Sequence, residues 1–167
     1  MVAGLAGLIG QVAAYGADTN AAYDVTAIQL LSAGKAKVVQ TNAATAVFLS
    51  DGTFIVTIQT DEVTGSYTAK GSSVKLNLDA NGTTALESNA VDFGQSLVPT
   101  NVTVIATSAK FSSIKLTKAG APVSTKDSVK GKASETLTVK GKTKTVKKSF
   151  TVSTLWTDWT LTSGTNF

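Results

Sequence analysis

Along most of this chain apolar and polar residues alternate with a period of two. Phe54, Val56 and Ile58 fall on one side of residues 53–60, with Thr53, Thr57 and Gln59 on the other. In residues 73–79, Val74, Leu76 and Leu78 alternate with Lys75, Asn77 and Asp79. That period belongs to strands with one buried face. Turn residues recur about every 8–12 positions, the spacing of a sandwich or barrel. Strands are therefore expected over 23–31 and 35–40 around Ser32-Ala33-Gly34, and over 44–49 and 53–60 around Asp51-Gly52. The next pair, 63–69 and 73–79, turns at Lys70-Gly71, and Asn81-Gly82 leads into a strand over 83–87. Residues 88–100 read as irregular, ending in Val98-Pro99, before strands over 101–108, 110–118, 129–139, 144–154 and 155–162. Only the N-terminal segment and residues 20–31 carry any helical periodicity. The expectation is an all-β fold: an antiparallel sandwich or barrel of about ten strands, jelly-roll-like or lipocalin-like.

The last hairpin allows a register to be chosen. Setting Leu137 against Val146 also sets Ala133 against Phe150, Glu135 against Lys148 and Thr138 against Thr145, with residues 140–143 as the loop. Apolar pairs then share one face and Ser/Thr pairs the other.

Residues 2–17 (VAGLAGLIGQVAAYGA) carry no charge and are punctuated by glycine. They are too short for a membrane-spanning helix, which needs about 20 apolar residues. They resemble the apolar core of a signal peptide, with Ala14-Tyr15-Gly16 as a cleavage site, but no basic residue precedes them. The expected organisation is an apolar N-terminal extension over 1–18, either an assembly segment or a residual signal region, and one β domain over 19–167.

Composition narrows the chemistry. The 167 residues include no His and no Cys, and all fifteen basic residues are Lys. Without imidazole or thiol there is no base near neutral pH, no nucleophilic triad and no His/Cys metal set. Without arginine there is no bidentate fork for phosphate. The Lys-rich strands lack the interleaved aromatics of single-strand nucleic-acid binders. Ser and Thr make up about a quarter of the chain, suiting the wet face of pleated sheets. Asp51, Asp61, Glu62 and Asp79 lie near turns, where carboxylates usually bond the local backbone rather than pair for glycoside hydrolysis or calcium. Asn81-Gly82-Thr83 and Asn101-Val102-Thr103 match the N-glycosylation pattern, a frequent accident in a Thr-rich chain.

Charge is uneven along the sequence. Residues 1–109 carry four Lys against eight acids, and residues 110–167 eleven Lys against three. Such a dipole either steers subunits into line or marks a solvated Lys face that keeps strand edges soluble. Trp156 and Trp159 stand three apart in the last strand, so simple alternation sends them to opposite faces. Leu155, Trp159 and Leu161 then make the core face, leaving Trp156 outward as an interface anchor, a sugar platform or a side chain packed under a loop.

Ser50-Asp51-Gly52-Thr53-Phe54, then Gly65-Ser66-Tyr67-Thr68, then Gly71-Ser72-Ser73-Val74-Lys75-Leu76 resembles the central meander of bacterial lipocalin-like secreted domains. The resemblance covers residues 50–78. It implies a closed barrel holding a lipid-type ligand, and a cavity lined by the inward faces of Phe54, Val56, Ile58, Leu76 and Leu78 would favour a binding barrel.

The leading functional expectation is a structural subunit of an extracellular or cell-surface filament, tube or array, and not an enzyme. Copies would join head to tail as the N-terminal segment or a strand docks into a neighbour's sheet. The residues expected at that interface are Leu5, Leu8, Ile9, Val12, Tyr15, Trp156, Lys142, Lys144 and Lys147. The partner is the chain itself, with glycans second; neither cofactor, nucleic acid nor transmembrane segment is expected. The alternative is a secreted barrel binding a small molecule or glycan.

Overall fold

The computed structural model describes residues 18–32, 35–40, 44–96, 98 and 101–167. Among these the strands are β1 (Thr19–Ser32), β2 (Lys35–Gln40), β3 (Ala44–Leu49), β4 (Thr53–Ile58), β5 (Asp61–Lys70) and β6 (Ser73–Leu78). A helix, α1 (Ala80–Ser96), precedes β7 (Val102–Phe111), β8 (Ile114–Leu116), β9 (Pro122–Val139) and β10 (Lys142–Gly164). All ten strands belong to one sheet. Antiparallel neighbours run β1–β3–β4–β5–β6–β8–β9–β10, and β10 returns to β1, closing an eight-stranded barrel. The two remaining strands flank it, β2 beside β1 and β7 beside β9.

Alternation drives the closure. Tyr23 and Val25 on β1, Ala44, Ala46 and Phe48 on β3, and Phe54, Val56 and Ile58 on β4 are buried in one core with Val63, Val74, Leu76 and Ile114. At one pole, where β1 starts, Phe167 packs among Tyr23, Phe48 and Tyr67, with ring centroids 6.1, 4.9 and 6.0 Å away. We call this the upper pole. Tyr23 donates to Asn166 Oδ1 at 2.9 Å there, and burial pushes its hydroxyl up to about 12.

Residues 83–87 are helical rather than extended, as are most of the residues expected to be irregular. Asp79 accounts for the start. Its Oδ1 accepts from the Gly82 N–H at 2.6 Å, capping the helix, and from Thr64 Oγ1 at 2.8 Å, tying that cap to β5. The helix packs on β5 and β7 and buries Leu86 in the core. Conversely, residues 20–31 are strand throughout.

Gly82 is where helix and sheet approach most closely. A Cβ there would collide with the Thr64 carbonyl oxygen and stand 2.7 Å from its nitrogen. Alanine is the better helix former by about 1 kcal/mol. Thr64, however, is held in the ladder opposite Ile55 and cannot retreat. Gly82→Ala should therefore destabilise, by about 1–3 kcal/mol, as overpacking does. A thermal melt showing stabilisation would refute this contact.

The final hairpin differs from the expected register. Leu137 faces Lys144, Ala133 faces Lys148, Gly131 faces Phe150, Glu135 faces Val146 and Thr138 faces Thr143. The loop is only Lys140-Gly141, with φ of 52° and 75°. Two left-handed residues make a type I′ turn, whose twist matches the flanking strands. Little of this ribbon is buried, so turn geometry rather than apolar pairing sets its register. The expected break between 154 and 155 is absent, and β10 is one strand of 23 residues.

Candidate assembly surface

β9 and β10 outrun the barrel. β9 pairs with β10 from Val139↔Lys142 to Thr125↔Trp156, yet β10 meets β1 only from Ser153↔Leu31 upward. β7 flanks β9 between Asp127 and Glu135. The result is a twisted arm at the lower pole. One side of it is bordered by β7; on the other, residues 142–152 of β10 have no strand partner among the described residues.

The hydrogen-bonding phase of that edge follows from the turn. Val139 and Lys142 flank a two-residue loop and so exchange both backbone bonds; even-numbered residues of β10 then point their N–H and C=O at β9. β9 confirms the alternation on its far side, because the Lys126 carbonyl accepts from Ser112 and the Thr136 N–H donates to Asn101, both across to the β7 side. The outward groups of β10 are therefore those of Thr143, Thr145, Lys147, Ser149 and Thr151.

Other edges are treated differently. Where β7 would expose its backbone, Gln95 of α1 donates from Nε2 to the Val102 carbonyl at 2.6 Å. Its Oε1 accepts from the Val104 N–H at 3.1 Å. One amide thus stands in for a neighbouring strand, a way of blunting an edge.

The arm's inner face prolongs the barrel's inner wall from Val129 through Gly131, over which the Phe150 ring lies. A Cβ on Gly131 would stand 2.7 Å from that ring. Farther out the same face carries Leu137, Val139 and Val146 among Lys142, Lys144 and Lys148. Val139 is 57% exposed, and Ile105 on the opposite face is 51% exposed. Lys147 shares that opposite face with Lys130 and Lys132. Lys142, Lys144 and Lys147 are all exposed on the arm, though not on a common face.

Leu5, Leu8, Ile9, Val12 and Tyr15 lie outside the described residues. Trp156 requires correction: it points inward and is 1% exposed. Asp158 adopts φ 59°, and opposite it β1 also changes phase, burying both Val25 and Ile28. The odd spacing between Trp156 and Trp159 is thereby reset: Trp156 lies in the core and Trp159, partly buried, packs against it. Trp159 donates to the Trp156 carbonyl at 3.2 Å, across the irregular step.

One functional-looking group was not singled out in the sequence. Asp127 is 6% exposed on the barrel's inner wall, where its carboxylate accepts from Trp156 Nε1 at 2.8 Å and from Thr154 Oγ1. Burial pushes its carboxyl up to about 6, against the opposing pull of those bonds. Its signal was its phase: Thr125, Asp127 and Val129 occupy successive inward positions of β9.

The turn carboxylates serve local backbone. Asp51 accepts from Thr53 N–H at 3.0 Å and Thr53 Oγ1 at 2.6 Å, which holds it below the usual carboxylate range. Asp79 caps α1, and Asp61 accepts from Asn89 Nδ2 at 3.4 Å. Asp61 and Glu62 open β5 at the lower pole. Acidic and basic residues thus both occur toward the lower pole among the described residues. No described helix is long and apolar enough to cross a membrane. Comparison with family models, with curated proteins and with solved structures finds no match to this chain.

Proposed function

We propose that the chain is a structural subunit of an extracellular or cell-surface filament, tube or array, built head to tail, and that it is not an enzyme. One observation carries this reading: β1 starts at the upper pole, beside Leu49 and Gly164, while a sheet edge with no partner among the described residues lies on the arm at the lower pole. A donor and an acceptor at opposite ends make a heterologous contact, which propagates when it does not close. Backbone pairing needs no particular side chain, which fits a chain lacking His, Cys and Arg.

A ligand-holding barrel, as the lipocalin-like resemblance implies, has the closed meander in its favour. Against it, Phe54, Val56, Ile58 and Leu76 pack into one core with Tyr23, Phe48 and Trp156. Those are the positions that a lipid-type ligand or glycan would have to line.

Electron microscopy of the purified full chain tests the proposal. Polymers are expected, and deletion of residues 2–16 should leave a folded monomer. Leu8→Asp or Ile9→Asp should act almost as strongly, because an unpaired charge would enter the docked interface. A deletion variant that still polymerises, or a full chain that stays monomeric at high concentration, would sink it.

A further inference from the structure

Among the described residues, three backbone edges approach the lower pole. That of β7 is capped at its lower end by Gln95, at Val102 and Val104. That of β2 is six residues long, and shortness is itself a defence against pairing. The third, residues 142–152 of β10, is long and has no strand partner among the described residues.

We infer that this open edge of β10 is the receiving strand, and that its occupant is the uncharged 2–17 segment of a second copy. The inference rests on the assembly reading above and adds where the segment goes.

Reach bars the chain's own segment from more than half of this edge. The register Ala21↔Gly164 to Leu31↔Ser153 places the start of β1 about 45 Å above residue 152, and the open edge runs about 35 Å farther. Residues 1–17 span at most about 60 Å when fully extended. They cannot run the length of their own edge, whereas a neighbour stacked below the arm presents its segment directly.

Charge selects the occupant. Two copies of this edge paired with each other would bring together Lys142, Lys144, Lys147 and Lys148 from both, a cross-strand repulsion that blocks self-pairing. A segment with no charge escapes that cost. It also carries apolar residues on both of its alternating faces, with Leu5 and Ile9 on one and Leu8 and Val12 on the other. One set extends the inner face of Val146 and Phe150; the other meets the Thr-rich outer face.

The chain contains no cysteine, so introduced pairs report cleanly. Ile9→Cys combined with Lys147→Cys, treated with a short bismaleimide under assembly conditions, should give a ladder of covalent multimers. Ile9→Cys combined with Lys37→Cys on β2 should not. Independently, Thr145→Pro with Ser149→Pro removes two outward N–H groups and spares the β9 ladder. That variant should stay folded by circular dichroism and lose polymer, while Lys37→Pro should keep it. Crosslinking through position 37 alone, or polymer persisting in the folded double-proline variant, overturns the receiving strand but leaves assembly standing. Polymer that survives deletion of residues 2–16, or no polymer from the full chain, overturns both.

Discussion

Raising the pH from about 4 to 7 should weaken this fold, and Asp127→Asn should remove most of the effect. The carboxyl of Asp127 moves from an ordinary 3.8 to about 6 because burial disfavours its charged form more than the hydrogen bonds from Thr154 and Trp156 favour it. Below pH 3.8 it is protonated whether the chain is folded or not, and costs nothing. Between 3.8 and 6 the folded chain holds the proton more tightly than the unfolded one, so stability falls as pH rises. Above 6 the loss is complete, at about 3 kcal/mol for a shift of this size. That is a large share of the 5–15 kcal/mol typical of a domain. The other perturbed groups act elsewhere: Asp51 is lowered, so its contribution is lost only as pH falls below 3.8, and Tyr23 titrates near 12. Asparagine keeps the shape and can still accept from Trp156, so the variant should match the parent near pH 4 and exceed it at pH 7. Urea unfolding across that range decides; a parent more stable at pH 7 than at pH 5 would contradict the buried charge.

The position of Asp127 also shows what the sequence could and could not reveal. Strands β3 to β6 were legible because one face of each is buried, so alternation and burial agree residue by residue along Phe54, Val56 and Ile58. Closure into a barrel was not, since sandwich and barrel share the same alternation; the choice is made by β8, only three residues long, bridging β6 and β9. The helix was hidden because its apolar face is thin. Leu86 is the large side chain buried among the helix's described ones, and the Asp79 cap resembles any other turn aspartate. The open edge of β10 was invisible for another reason. Its residues read as an ordinary solvated strand, and only the register shows that β1 stops pairing at Ser153.

The second large effect lies at Trp156, where alternation misled. An outward tryptophan could be replaced at little cost to stability. Trp156 instead sits edge-on to Phe111, with ring centroids 5.3 Å apart, and supplies a donor to Asp127. Trp156→Ala should therefore cost about 3–5 kcal/mol from the cavity alone. Trp156→Phe separates the two roles, keeping a ring against Phe111 while deleting the N–H. At pH 7, with Asp127 ionised, the lost charge-assisted bond should cost about 1.5–3 kcal/mol. Near pH 4 the neutral carboxyl has less need of a donor, and the penalty should shrink. The stability loss of Trp156→Phe should thus grow with pH, giving a steeper dependence than the parent shows. Trp159→Phe is the control: its N–H goes to the Trp156 carbonyl rather than to a carboxylate, so its penalty should not vary over that range. Equal losses for Trp156→Phe at pH 4 and pH 7 would mean that Asp127 does not depend on the indole. A near-parental midpoint for Trp156→Ala would return the side chain to the outer face.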